Sequence, residues 1–128
     1  MVRQAWARFH AGDPTWSEGW VHPEIEWDFT AYPLADLPSR GRGREALISQ
    51  VIETYMSGWL DYRGEITEAL DAGDDVVVVV HETVRLRDSD TPLELDVAHI
   101  WTVRAGRWVY WRILPDRNAA LEAAGLGG

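Results

Sequence analysis

The sequence predicts an α+β fold in which helices lie on one face of an antiparallel sheet. Two observations predict this class. The order of elements is helices, one strand, a long helix, four strands and a last helix, and the four strands follow one another through short turns. A chain of 128 residues is long enough for one domain with its own core, so we expect a single domain over residues 1–128.

The first half of the chain alternates helices with one strand. Apolar residues at helical spacing predict an N-terminal helix: Val2, Ala5, Trp6 and Phe9. Asp13 is the predicted N-cap of a second short helix, and residues 24–29 read as a strand. The loop 30–40 is a candidate rim or lid. A long helix over residues 44–59 is predicted by its apolar face: Leu47, Ile48, Val51, Ile52, Tyr55, Met56 and Trp59.

The second half is predicted to be an antiparallel meander closed by a helix. Its four strands are separated by turns rich in Asp and Gly, and cover residues 62–70, 75–87, 93–104 and 107–114. The last helix begins with Asp116 as its N-cap and ends at Gly125. Leu121 and Leu126 have the spacing of a Schellman stop.

Charge and composition exclude several classes of partner. Twelve Lys and Arg against 21 Asp and Glu give a net charge of −9, which argues against nucleic acid and anionic membranes as partners. The chain has no cysteine, which removes thiolate nucleophiles and disulfides. The N-terminal segment lacks the apolar core of a signal peptide, so we expect a cytoplasmic protein. Eight Trp residues predict broad aromatic surfaces that line a core or a cavity.

Two polar residues interrupt apolar strand faces. Because strand side chains alternate, His99 shares a face with Val97 and Trp101, and Glu82 shares one with Val80 and Val84. His99 is either a core histidine bonded to a backbone carbonyl or a pocket group. Glu82 either reaches solvent or a nearby arginine, or belongs to the same pocket.

The opposite faces of the same strands are also apolar. In the last strand, alternation places Trp108 and Tyr110 opposite Trp111 and Ile113. The face with Val77, Val79, Ile100, Trp108 and Tyr110 is too apolar to meet water over a whole sheet. We therefore expect this outer face to pack against another subunit.

Five segments that together span nearly the whole chain carry a family resemblance: Trp6–Asp13, His22–Asp28, Arg42–Ala46, His99–Arg107 and Asp116–Leu126. These segments resemble the nuclear transport factor 2-like superfamily, and specifically its SnoaL-like branch of ketosteroid isomerases, polyketide cyclases and limonene-epoxide hydrolases. The resemblance implies a strongly bent antiparallel sheet wrapped around helices into a cone. It also implies a pocket in the mouth of the cone and a homodimer through the outer sheet face.

The resemblance also assigns candidate catalytic positions. Asp28 falls where ketosteroid isomerases carry the general base, and His99 where they carry the acid of the oxyanion hole. Ala5 stands in place of the oxyanion-hole tyrosine, which argues against true ketosteroid isomerase activity. Ile113 stands where cyclases and epoxide hydrolases carry a catalytic aspartate, so their chemistry does not transfer through that position.

Two arrangements of the catalytic pair stay open. Asp28 walled by aromatic side chains would have a raised pKa and act as a base, while His99 across the pocket donates a hydrogen bond to an enolate. If the two touch, Asp28 instead orients His99 and favours its protonated form. A third interpretation is that Asp28 only bonds the backbone of the following loop.

The remaining candidate residues are walls of the pocket. The expected substrate-binding residues are Trp6, Trp27, Tyr32, Tyr55, Glu82, Trp101, Trp111 and Ile113. A metal site built from His22, His99, Asp28 and Glu82 lacks any short ligand spacing, so we expect no metal and no cofactor.

Three functional hypotheses follow. The first is an enzyme that acts by general acid/base chemistry, such as an isomerase, cyclase, dehydratase or hydrolase, on a small apolar carbonyl-like substrate. The second is a module that binds a small molecule without turnover. The third is a dimerisation scaffold whose pocket is filled by indole rings.

Overall fold

The computed structural model describes residues 2–11, 18–30, 40–52, 59–86 and 91–126. In chain order the elements are α1 (Val2–His10), β1 (Val21–Asp28), β2 (Arg40–Arg42), α2 (Arg44–Ala46), a π-helical turn (Leu47–Ile52), β3 (Trp59–Ala72), β4 (Asp75–Leu86), β5 (Leu93–Arg104), β6 (Arg107–Leu114) and α3 (Arg117–Ala123). The short helix predicted from Asp13 lies outside the described residues. None of the described helices is long and apolar enough to cross a lipid bilayer.

The six strands form one sheet in the order β2-β1-β6-β5-β4-β3. Strands β3 to β6 pair antiparallel with their neighbours in sequence, which confirms the predicted meander. Strand β1 pairs with β6 in parallel, which the sequence did not predict. A parallel pair needs a long crossover, and here the whole meander serves as the connection between the two strands.

The sheet has two faces with different coverings. We call inner the face that carries Val78, Val80, Val97 and Trp101, because these residues belong to the main core cluster with β1 and the turn after α2. We call outer the opposite face. Side chains from neighbouring strands meet on each face because paired residues point the same way.

Strand β1 is longer than predicted. It begins at Val21 rather than residue 24 and includes Pro23. Proline cannot donate to a ladder, and the register of β1 against β6 shifts between Val21 and Glu26. That irregular stretch accommodates the proline within the strand. The His22-Pro23 pair therefore lies inside β1 and not before it.

The predicted helix over residues 44–59 does not include Trp59. Its described part is α2 followed by the π-helical turn, in which Leu47 is fully buried. Trp59 begins β3 and pairs with Leu86, so its assignment to the helical face is wrong. An aromatic residue suits either element, and long-range pairing with β4 decides.

A β-bulge in β6 corrects the predicted face of Trp108. Thr102 pairs with Tyr110 and Val103 pairs with Trp108, so Val109 is the extra residue of the bulge. The extra residue reverses the alternation, and Trp108 joins the inner core with an exposed fraction of 2%. The sequence-based placement of Trp108 opposite Trp111 is therefore wrong.

Helix α3 covers the apolar part of the outer face. Ala120 packs in one buried cluster with Val77, Ala98 and Ile100. The helix therefore shields this strip from water, and the expected packing of the outer face against another subunit stays a prediction.

Both predicted ends of α3 are confirmed, although its helical span is shorter. The Asp116 side chain accepts a hydrogen bond from the Ala119 backbone N–H at 2.8 Å. The Leu126 N–H donates to the Leu121 carbonyl at 2.8 Å, and Gly125 has a φ of 78°. This is the Schellman stop.

Candidate functional site

His99 lies on the inner face of β5. Its register partners are Val78 on β4 and Ile113 on β6, and its neighbours on the same face are Val97 and Trp101. The exposed fraction of His99 is 4%. The structure therefore places this histidine on the apolar face that strand alternation indicates.

Two indole rings hold one nitrogen of His99. The Nε1–H groups of Trp101 and Trp111 donate to His99 Nδ1 at 3.3 Å and 3.1 Å. An indole N–H is only a donor, so Nδ1 must present its lone pair, and the neutral ring carries its proton on Nε2. The partners of this buried histidine are thus side chains from β5 and β6 rather than a backbone carbonyl.

Burial also fixes the charge of His99. Removal of the ring from water lowers the pKa of His99 to about 3. The imidazole is therefore neutral at physiological pH and does not act as a cationic acid.

An aromatic cluster surrounds His99. The Trp6 ring meets the imidazole edge-on, with 5.9 Å between ring centroids, and lies 6.2 Å from Trp101. Trp101 stacks on Trp108 at 4.2 Å, and Trp108 stacks on Trp20 at 5.8 Å. The inner face thus has an extended indole surface, as the tryptophan content predicts.

Trp6 connects α1 to the sheet edge. Its Nε1–H donates to the Gly64 carbonyl of β3 at 3.1 Å. An open cleft of about 510 Å³ lies beside it, lined by Trp6, Arg63, Gly64, Glu65 and Ile66. One wall of this cleft is therefore the same indole that contacts His99.

Glu82 is the second polar residue of the inner face. It pairs with Leu95 on β5 and Gly64 on β3, and it shares its face with Val80 and Val84. Its exposed fraction is 3%, so the alternative that its carboxylate reaches solvent does not hold. Carboxylates are seldom fully buried in folded proteins, so Glu82 is a candidate functional residue.

Two other predicted wall residues belong to the core. Ile113 is buried beside His99, and Trp27 is buried and packs against Phe29. The Trp27 ring lies against Gly41 of β2 so closely that a Cβ there would overlap it, which requires glycine at this position. The remaining predicted walls, Tyr32 and Tyr55, lie outside the described residues.

Asp28 does not share a pocket with His99. On β1 the buried residues Ile25 and Trp27 face inward, whereas Glu26 and Asp28 face the other side of the sheet. The register partner of Asp28 is Arg112, an outer-face residue of β6. The prediction of a joint Asp28–His99 site is wrong because strand alternation, with Trp27 inward, turns the next side chain outward.

The environment of Asp28 is polar rather than aromatic. The Thr30 backbone N–H and hydroxyl donate to Oδ1 at 3.0 Å and 2.7 Å, and Arg40 lies 3.5 Å from Oδ2. Partial burial acts to raise the pKa of Asp28. The hydrogen bonds from Thr30 and the charges of Arg40 and Arg112 together outweigh burial, so the pKa lies below its usual value. This is opposite to the shift that a general base needs, and it matches the loop-bonding interpretation.

A second cleft, of about 600 Å³, opens on the outer face and was not found by sequence reasoning. Three carboxylates and three guanidinium groups line it, together with His22 and Tyr110: Glu24, Glu26, Asp75, Arg42, Arg104 and Arg112. These residues come from five different strands, so only the strand order brings them together. Within the described ranges, no three His, Asp or Glu side chains are grouped to hold a metal ion.

The sheet order, the inner aromatic cluster and the covering helices define the nuclear transport factor 2-like class of α+β cone folds. Within this class, the profile of the SnoaL-like domain matches residues 2–111. The chain belongs to the SnoaL-like domain family.

Solved structures agree on the fold. A nuclear transport factor 2-like protein from Burkholderia pseudomallei is 20% identical, with a TM-score of 0.75, over 98% of this chain and 93% of that one. A nuclear transport factor 2-like protein from Burkholderia thailandensis is 27% identical, with a TM-score of 0.73 and coverages of 98% and 92%. TerC co-crystallized with polyporic acid is 24% identical, with a TM-score of 0.75 and coverages of 97% and 95%. No curated protein matches the chain significantly.

Proposed function

We propose that this SnoaL-like protein binds a small, largely apolar molecule against the inner face of its sheet. His99 and Glu82 supply the polar contacts, and Trp6, Trp101 and Trp111 supply aromatic walls. The observation that carries the proposal is the burial of two polar side chains on a face that is otherwise apolar. Polar groups inside an apolar face can orient a small molecule by hydrogen bonds, while the surrounding rings provide its apolar contacts.

The comparison with TerC supports the same use of the fold. That protein was crystallized with polyporic acid, a small organic molecule. At 24% identity the likeness concerns the fold, so the identity of the ligand is left to experiment.

Native mass spectrometry of the protein, purified without denaturation from cell extract, tests the proposal directly. We expect a bound small molecule that is released on unfolding. The matched variants His99→Gln and His81→Gln remove a buried inner histidine and a half-exposed outer one. Only His99→Gln is expected to lose the molecule, and equal retention in both would contradict the proposal.

The buried carboxylate of Glu82 favours a second candidate, a general acid/base enzyme for a small carbonyl compound. In this role Glu82 replaces Asp28 as the base, because Glu82 lies on the same inner face as His99, whereas Asp28 faces the other side of the sheet. The chemistry is that of an isomerase, cyclase, dehydratase or hydrolase in which a proton leaves the carbon next to a carbonyl.

Deuterium exchange tests the enzyme candidate. In D₂O, a base removes a methyl proton of 2-acetylnaphthalene, and a deuteron from solvent returns to the same carbon. We expect exchange that Glu82→Gln abolishes and that the exposed control Glu94→Gln leaves unchanged. Absence of exchange in the wild type favours the binding module without turnover.

The homodimer and the cytoplasmic location are also proposals. A second copy would meet the charged part of the outer face along β1 and β6, since α3 covers the apolar part. Sedimentation in low and high salt distinguishes a charged interface from a monomer, because exposed ion pairs weaken as salt rises.

A further inference from the structure

The pair of indole donors on His99 has a consequence for what the inner face recognises. Trp101 belongs to β5 and Trp111 to β6, and the two residues are register partners. Their N–H groups converge on one nitrogen, so the ring is clamped between two strands. Such a clamp selects one tautomer, because a protonated Nδ1 would oppose both indole donors.

The other ring nitrogen is then a fixed donor. No described residue accepts a hydrogen bond from His99 Nε2. This Nε2–H is therefore the polar group of the ring from which a ligand oxygen can accept a hydrogen bond. The Trp6 ring, with 5.9 Å between its centroid and that of the imidazole, places apolar surface beside the same ring.

The charges around this position disfavour an anion. Of the described residues, the buried polar ones are Glu82, His99 and Thr102, and none of them is a lysine or arginine. Glu82 extends from β4 on the same face, whereas Arg63 lies exposed at the cleft beside Trp6. A carboxylate ligand would lose its hydration without gaining a buried counter-charge.

We propose that Trp101 and Trp111 are positioning residues that hold His99 as a neutral Nε2–H donor, and that the site thereby selects an uncharged ligand with an oxygen acceptor over a carboxylate. This inference rests on the proposed binding function for its ligand, but the state of the ring is a property of the free protein. A ring with a pKa of about 3 keeps this state throughout the physiological range.

The state of the ring is tested by long-range proton–nitrogen NMR on protein with ¹⁵N-labelled histidine. We expect a pyridine-type shift for His99 Nδ1 and a pyrrole-type shift for Nε2, both constant from pH 8 to 5. Trp111→Phe keeps an aromatic ring and removes one donor, and we expect it to raise the pKa of His99 by about one unit. A proton on Nδ1, or titration of the wild-type ring near pH 6.5, would overturn the inference.

Trp108→Phe is the matched control. Trp108 lies in the same aromatic cluster, but its N–H donates to the Tyr110 carbonyl at 3.0 Å. We expect this variant to leave the His99 shifts and their pH dependence unchanged. An equal effect of both variants would mean that general packing, and not the indole clamp, sets the ring state.

The ligand preference is tested with three probes of one shape: 2-acetylnaphthalene, 2-naphthoate and 2-ethylnaphthalene. By calorimetry we expect the ketone to bind at least about tenfold more tightly than either other probe, with no change between pH 5 and 8. Equal or tighter binding of 2-naphthoate would overturn the preference. If no probe binds, the proposed function fails for this ligand class, while the NMR experiment still decides the state of His99.

Discussion

The two faces of the sheet bury different kinds of apolar residue and treat polar side chains differently. On the inner face, an aromatic cluster surrounds His99, and the carboxylate of Glu82 is buried on the same face. On the outer face, small and β-branched residues lie under α3, and the polar groups stay at the rim in ion pairs. The comparison teaches that the buried polar residues on which the proposed function rests lie on the inner face, whereas the polar residues at the rim pair with one another.

Truncation of Trp101 should give the largest loss of stability. It tests whether the inner core contributes more to the free energy of unfolding than the exposed rim does. Trp101→Ala removes the stacking on Trp108 and one donor to His99, and should cost about 4 kcal/mol of the free energy of unfolding. Urea unfolding measures this loss. Arg104→Ala, on the exposed end of the same strand, should change stability by less than about 0.5 kcal/mol. Similar losses of free energy in both variants would contradict the distinction between the inner core and the rim.

Acid should destabilise the protein through His99. The unfolded ring takes up a proton below its ordinary pKa of 6.5, whereas the folded ring resists protonation until about pH 3. The contribution of neutral His99 to the free energy of unfolding is therefore complete above pH 6.5. It decreases as the pH is lowered, by about 3 kcal/mol between pH 7 and pH 4. His99→Gln should lack this component in urea unfolding at several pH values. Identical pH slopes in wild type and variant would contradict it.

His81 on the outer face should contribute to stability with the opposite dependence on pH. Hydrogen bonds to Asp96 at 2.7 Å and to Glu94 raise the pKa of His81. Its contribution is complete below pH 6.5 and is lost as pH rises through the raised pKa. His81→Gln should therefore leave the acid loss assigned to His99 intact, and NMR should show the two rings titrating on opposite sides of 6.5.

Removal of the α3 cap should have a smaller effect. Asp116→Ala loses the hydrogen bond to the Ala119 N–H and should cost about 1 kcal/mol, measured by thermal or urea unfolding. The neighbouring exposed Asn118→Ala should cost less. No difference between the two variants would show that the cap does not anchor the helix.

Asp28→Asn should have the smallest effect. The folded pKa of Asp28 lies below its ordinary value, so its contribution is present above about pH 4 and is lost as pH falls through the folded pKa. The side chain is partly exposed, so we expect a loss of no more than about 1 kcal/mol at pH 7 and no change in ligand binding. A loss of ligand binding in Asp28→Asn would show that Asp28 takes part in the binding site.

Local patterns predicted much of the architecture. The meander, the cap at Asp116 and the inward direction of His99 follow from alternation, turn residues and capping chemistry. These features depend on neighbours in sequence, which is why one chain is enough to predict them.

The errors in the strands share one physical origin, which is pairing between distant segments. The parallel pairing of β1 with β6, the bulge at Val109 and the start of β3 at Trp59 are set by the partner strand. The error at the candidate site has a different cause. The resemblance places Asp28 in the pocket, whereas alternation around the buried Trp27 turns its side chain outward.

The position of α3 in the chain has a consequence for synthesis. The residues that this helix shields, Val77, Ala98 and Ile100, leave the ribosome before it does. The nascent sheet therefore exposes these apolar residues until α3 has emerged. During that interval they are available to chaperones and to aggregation.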